Sequence, residues 1–364
     1  MYKHLQANNK QNENLVCSPF SIACALAIFA SGSRNVTAKQ IFAVLNLKAS
    51  KYRIQDQFSK LLTILSGYVP DVTFHVANRI YSDQKFPIHG SYLVLLEASY
   101  GATMKSVDFE TGHESVRREA NAWASEQTAS KIQAIVPSSV DANTALIHLS
   151  AICFRGFWQW PFRSVHTTRQ QFRLNYKNAV RVNMMFQNRS FKMGHSEELC
   201  ARALEIPYRG QMMSMVILLP DDIEGLYDLE ETLTPANLSA LLASMKLVDD
   251  VEVSVPKFRI EHSVAMRETL EDLGVKDLFT PGKADLAGVF ETGAPSVSDV
   301  VHKALVQVDE EGTEPEAATA NALIESAGSI AAQAVRFVVD HPFMFLIKMN
   351  NLDVILFLGS VRKL

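Results

Sequence analysis

Apolar residues in the first third of the chain recur at helical spacing. Phe20 to Ala30 is an alanine-rich run opened by Ser18–Pro19 and closed by Ser31–Gly32, which predicts a buried helix with a polar start and a glycine stop. Thr37, followed by Ile41, Phe42, Val44 and Leu45, predicts a second helix. From Gln55 to Leu65, Phe58, Leu61, Leu62 and Leu65 share one face of a third. Strand-like text at Val72 to Tyr81 is followed by helical spacing from Ile88 to Tyr100. Helical spacing returns from Val116 to Gln127, with Val116, Ala120, Trp123 and Ala124 as its apolar face.

After Ala145 the period changes. Leu146 to Phe154 is almost unbroken apolar text, as expected of a central strand buried on both faces. Val180–Met185, Ala203–Tyr208 and Met212–Leu219 predict further strands, the last closed by the turn Leu219–Pro220–Asp221–Asp222. Val251, Val253 and Val255 alternate with Glu252 and Ser254 up to Pro256, a half-buried strand. Val264–Leu273 is predicted as an amphipathic helix, Leu305–Asp309 as a strand, and Phe343–Gly359 as two strands split at Asn350–Asn351. No glycine- or proline-rich linker and no repeat divides the chain. Helices first and strands afterwards predict a single α+β domain over residues 1–364.

Composition adds exclusions. With 48% hydrophobic residues, 20% charged residues and a formal net charge of −4, the chain is globular and argues against nucleic-acid binding. No apolar run is long enough for a membrane span, so no membrane partner is expected, and Met1 to Asn14 lacks the apolar core of a signal peptide. Cys17, Cys24, Cys153 and Cys200 fit neither a disulfide framework nor a zinc pattern and read as buried free thiols. Sequons at Asn35, Asn188 and Asn237 leave a secretory origin open, and an extracellular chain is favoured over a cytoplasmic one.

Residues 310–334 break the pattern. The stretch is rich in small residues, carries Glu325 as its only charge after Glu316, and lies between two strand-like blocks. A connection of this length inside a compact domain is commonly functional. Thr313, Pro315, Ala317 and Thr319 fall on one parity, Glu314, Glu316 and Ala318 on the other. As a strand it would offer small residues to a core and mostly charge to solvent, so it is compatible with both an exposed loop and an inserted strand.

At these residues the chain resembles the serpin family. Phe337–Ile347 (FVVDHPFMFLI) matches the family's C-terminal signature, and Val308–Glu314 (VDEEGTE) matches the hinge before the reactive-centre loop. Ser18–Ile22, Phe154–Trp158, Leu204–Tyr208, Val255–Phe258, His302–Ala304 and Ile355–Gly359 extend the match in order along the chain. The resemblance implies about nine helices and three β-sheets, and a monomer without cofactor or metal. It implies a serine-protease inhibitor that is not an enzyme: the protease acylates itself on the loop, which then inserts into a sheet as a strand. The hinge corresponds to Glu310, Glu311, Gly312, Thr313, Glu314, Pro315, Glu316, Ala317 and Ala318. Ser18, Ser21, Ser150 and His302 correspond to the shutter and Trp158 to the breach.

The family's spacing from Gly312 puts the attacked bond at Ser326–Ala327. The loop is longer than usual, however, and Leu323, Ile324, Glu325 and Ile330 mark the alternative positions. Between Gly312 and Val335 there is no Lys or Arg, which disfavours trypsin-like enzymes and favours chymotrypsin- or elastase-like ones. Two departures stand out. Pro315 lies on the buried parity without a backbone donor, and Ser150 replaces the usual asparagine. Pro315 supports the alternative, a non-inhibitory member with a binding, carrier or chaperone role whose loop is merely cleaved. No Gly-x-Ser-x-Gly or His-Glu-x-x-His pattern supports a hydrolase.

Overall fold

A computed structural model describes all residues except 10–12, 47–49, 137–139 and 314–334. Its first six helices are α1 (Tyr2–Ala7), α2 (Pro19–Gly32), α3 (Asn35–Val44), α4 (Lys51–Ser66), α5 (Gly90–Tyr100) and α6 (Phe109–Gln127). Three more, α7 (Leu226–Thr232), α8 (Pro235–Ser244) and α9 (Arg267–Asp272), complete the nine α-helices among the described residues.

The strands are β1 (Leu15–Cys17), β2 (Val72–Asp83), β3 (Thr103–Val107), β4 (Leu146–Phe157), β5 (Thr168–Arg173), β6 (Ala179–Ser196), β7 (Ala201–Pro207) and β8 (Met213–Pro220). They continue with β9 (Lys246–Pro256), β10 (Phe258–Ala265), β11 (Asp299–Val308), β12 (Gly312–Thr313), β13 (Val335–Val338), β14 (Phe343–Met349) and β15 (Ile355–Val361). One sheet has the order β10-β11-β12-β4-β2-β3. A nine-stranded one runs β1-β15-β14-β8-β7-β6-β9-β13 with β5 added on β6.

The chain clusters into two compact units. One comprises residues 1–5, 17–153 and 261–305, the other 6–16, 154–260 and 306–364.

In the first unit, α2 forms where Ser18 caps the helix, its side chain accepting a bond from Ser21 N, and Pro19 occupies the first turn. It is apolar all round because it is buried all round. The face predicted for α6 is the buried one: Val116, Ala120, Trp123 and Ala124 pack with Leu149, Ala151 and Leu305 in one cluster. β4 is buried on both faces for nine consecutive residues, Leu146 to Phe154, as its unbroken apolar text requires.

In the second unit, β8 and β14 are buried along their whole length and pair antiparallel, Phe345 opposite Ile217. Phe258 packs ring to ring against Phe343 and Phe345 of β14. Thr234 and Asn237 form a reciprocal capping box for α8, so the sequon residue Asn237 is buried and its amide committed.

Three expectations need correcting. The helix predicted over Val264–Leu273 is shorter: Val264 and Ala265 end strand β10, whose alternating burial reflects a strand period, and α9 begins at Arg267. β11 ends at Val308, leaving Asp309 in the turn. Cys17, Cys24 and Cys153 are buried free thiols, but Cys200 is exposed, in a left-handed turn (φ 44°) that turns its side chain outward.

Candidate functional site

β4 and β11 are the two strands that define the site. Over Ile147–Cys153 and Asp299–Leu305 they pair directly and in parallel, His302 opposite Ser150. Further along both strands β12 takes the place between them. Gly312 pairs with Phe157 and Thr313 with Gly156, while Val308 pairs with Thr313 on the other side. The first two residues of the hinge strand are therefore already in the sheet.

Local chemistry explains why this segment enters. A Cβ on Gly312 would lie 1.9 Å from the Gly156 carbonyl oxygen and 2.8 Å from the Phe157 Cα, so the approach of the two backbones requires glycine. Thr313 is fully buried, and its hydroxyl lies 2.7 Å from that of Tyr208, whose burial pushes the phenol pKa upward. Trp158 stacks on Tyr208 with centroids 4.7 Å apart and planes 12° from parallel. Its indole N–H donates to Asp309 O at 2.9 Å and its backbone N–H to Glu311 O at 2.9 Å.

Glu310 accepts from Lys257 at 2.6 Å and from Thr167 at 2.8 Å. Burial pushes the Glu310 carboxyl up, but these two bonds outweigh it and hold the group below its ordinary value. Burial raises Asp309 despite backbone donors. The turn Asp309–Glu311 is thus anchored by Trp158, Phe162, Thr167 and Lys257 together.

Ser18, Ser21, Ser150 and His302, matched above to the shutter, lie close together in the first unit. Ser18 N donates to His302 Nε2 at 3.0 Å, and the hydroxyls of Ser21 and Ser150 lie 2.5 Å apart. With serine at 150, the shared bond runs to Ser21, and His302 Nδ1 is buried with no hydrogen-bond partner among the described residues. His148, two residues before Ser150, is fully buried against the edge of Phe29, and neither ring nitrogen is bonded among the described residues. Burial pushes His148 down to about 3. His302 falls to about 3 through burial first, then through the neighbouring His262 and His148.

Of the hinge residues, Glu310, Glu311, Gly312 and Thr313 lie at the mouth just described. Glu314, Pro315, Glu316, Ala317 and Ala318 fall outside the described residues, as do Leu323, Ile324, Glu325, Ser326, Ala327 and Ile330. The sequence reading missed Tyr208, Thr167 and Lys257 as partners of the hinge. Tyr208 and Lys257 lay inside matched motifs, but nothing in their spacing announced the contact. Among the described residues no group of three or more His, Cys, Asp or Glu is arranged to hold a metal ion, and no helix is long and apolar enough to cross a membrane.

Comparisons with known proteins place the chain in a family. A family model described as Serpin (serine protease inhibitor) matches residues 1–364. Iris of Ixodes ricinus is 47% identical, over 100% of this chain and 96% of its own length. Leukocyte elastase inhibitor of Homo sapiens is 38% identical, over 99% and 95%. The crystal structure of Serpin48, a highly specific serpin of the insect Tenebrio molitor, superposes with a TM-score of 0.88 at 33% identity, covering 100% of this chain and 94% of the other. With the family matched from end to end, and with Gly312 and Thr313 lying between β4 and β11, the chain belongs to the serpin family and is a protease-inhibitory member of it, not an enzyme.

Proposed function

We propose that the protein inhibits chymotrypsin- or elastase-like serine proteases by acting as a suicide substrate, with attack at Ser326–Ala327. The protease serine adds to the Ser326 carbonyl, the bond to Ala327 breaks, and the amine leaves with the C-terminal fragment, so an ester joins protease to loop. The freed strand then extends β12 between β4 and β11 before water hydrolyses that ester. The observation that carries this reading is β12 itself: Gly312 already pairs with β4 and Thr313 with both β4 and β11, so insertion continues a strand whose first residues are in register. Propagation replaces the direct pairing of Leu305 with Cys153 and the pairs beyond it. The absence of Lys and Arg between Gly312 and Val335 supports an apolar or small residue in the protease's specificity pocket.

Incubation with chymotrypsin and with pancreatic elastase tests this. The expected result is an SDS-stable band of summed mass and a released fragment whose N-terminus is Ala327 by mass spectrometry. Complete loop cleavage without that band rejects the inhibitory mechanism and assigns Pro315 the role of slowing insertion. A fragment starting at Glu325 or Ala331 moves the bond.

A further inference from the structure

The Asn-x-Ser/Thr triplets at Asn35, Asn188 and Asn237 stand apart from the hinge, and the fold treats them differently. Asn237 is only 6% exposed. Its Oδ1 accepts from Thr234 N at 2.7 Å, and its Nδ2 donates to Thr232 O at 2.8 Å and to Glu198 Oε1 at 3.4 Å. Both amide hydrogens are committed and the side chain is enclosed, so a sugar on that nitrogen would break the cap of α8. Asn35 is exposed and donates to Asp285 Oδ2 at 2.8 Å, and the residue two before it is the buried Ser33.

Asn188 sits in another setting. Alternate residues of a strand share a face, which groups Phe186, Asn188 and Ser190 on one side of β6. Asn188 is exposed. Phe186 is half-buried, with the His166 ring set edge-on to it at a centroid distance of 6.4 Å. Across on β9, Glu252 lies opposite Asn188 and is held by Arg336, and Ser254 lies opposite Phe186. Asn188 Nδ2 donates to Asp250 Oδ1 at 2.8 Å, which engages one amide hydrogen and leaves the other.

Same-face neighbours along a strand are about 7 Å apart, so a sugar on Asn188 reaches the part-open Phe186 ring. This face supplies what a pyranose needs: polar cross-strand groups for its hydroxyls and an aromatic surface under its C–H face.

We propose that Asn188 is an N-glycosylation site when the chain passes through a secretory compartment, and that the first N-acetylglucosamine packs on Phe186. In the transfer, Asn188 Nδ2 forms a bond to C1 of the N-acetylglucosamine of a polyprenyl-pyrophosphate-linked oligosaccharide. The C1–O bond to the pyrophosphate breaks, the lipid pyrophosphate leaves with the electron pair, and the displaced amide proton passes to a base of the transferase. In the folded chain the Ser190 hydroxyl, which completes the triplet, donates to Asp249 Oδ1 at 2.6 Å. Transfer therefore belongs to the stage before β6 pairs with β9. Afterwards the remaining amide hydrogen keeps Asp250 as its partner.

The test is secretion from cultured mammalian cells behind a cleavable leader, then release of glycans by PNGase F in heavy-oxygen water and peptide mass spectrometry. In the folded fraction, Asn188 is expected as labelled Asp in most molecules and Asn237 in none. Thermal unfolding isolates the ring contact. The glycosylated chain should melt about 2 °C above Asn188→Gln, and that gain should vanish in Phe186→Leu, which keeps an apolar side chain without an aromatic face. Asn35 is the internal control, its occupancy unchanged in Phe186→Leu.

An unmodified Asn188 in the folded, secreted protein overturns the assignment. A glycan at Asn237 in that fraction overturns the sorting of the sites by burial. A gain in melting temperature that persists in Phe186→Leu overturns the contact with the ring.

Discussion

The same two strands, β4 and β11, are held together by different means along their length. Over Ile147–Cys153 and Asp299–Leu305 they are bonded to each other and carry two buried histidines with three unbonded ring nitrogens. At the mouth they are bonded to β12 instead, and nearly every polar group around the hinge has a partner: Thr313 with Tyr208, Glu310 with Lys257 and Thr167, Trp158 with Asp309. Glu311 Oε2 and Arg155 Nε, beside Gly156, are the exceptions there among the described residues. The contrast separates two tasks. In the proposed mechanism the mouth selects the entering segment, through a backbone approach that requires glycine at 312 and a Tyr208 hydroxyl that pairs with Thr313. The seam sets how readily the strands part, and its unsatisfied nitrogens make it less stable than an all-apolar pairing would be.

The largest effect is expected from a change that breaks the mouth. Thr313→Arg would bury a guanidinium where a hydroxyl now meets Tyr208, with no acid among the described residues in hydrogen-bond reach of that hydroxyl. Entry of the hinge then fails. Protease is released faster than it is trapped, and the number of inhibitor molecules consumed per protease rises about tenfold or more, as read from the ratio of cleaved chain to covalent band.

A second test sharpens the comparison from the seam. His148 and His302 are held at about 3 in the folded chain, against 6.5 for a free imidazole. Their folded values are depressed, so the unfolded chain binds more protons below pH 6.5, and stability falls as pH drops from there toward 3. Between pH 7 and pH 5 each histidine should remove about 2 kcal/mol, measured by urea unfolding at the two pH values. His148→Leu, which replaces an unbonded imidazole by an apolar side chain, should remove about half of that pH dependence. An unchanged difference between the two pH values would exclude His148 as a source.

The smallest effect is expected at the rim of the mouth. Lys257 and Glu310 are part-exposed, with side-chain exposures of 37% and 15%, so Lys257→Ala should cost about 1 kcal/mol or less in thermal unfolding, and the loss should shrink with added salt. A larger loss would place this pair beside Thr313 in controlling entry.

Much of the scaffold was legible in the sequence because its signals are local. The cap Ser18–Pro19, the apolar stripe of α6 and the unbroken text of β4 each specify one element from neighbouring residues. The α+β class followed from their order. β5 was not legible: Thr-Arg-Gln-Gln-Phe-Arg contains one apolar residue, and only pairing with β6 makes it a strand. Val264–Leu273 misled because a strand end and a helix start run together without a turn residue between them.

The mouth could be located from the resemblance at Gly312 and Trp158. Its bonding was invisible, since Thr313 meets Tyr208 across 105 residues and Glu310 meets Lys257 across 53.

Cys200 gives the molecule a property of practical value. Three of its four thiols are buried, and burial pushes Cys17 and Cys24 up to about 12, which keeps them protonated and poorly nucleophilic at neutral pH. The exposed fourth sits in the turn between β6 and β7, the strand that leads to Tyr208. A maleimide dye should therefore attach once per molecule without any engineered residue. The native chain can then serve as its own single-label fluorescent reporter, with capture of a quencher-tagged protease followed in real time.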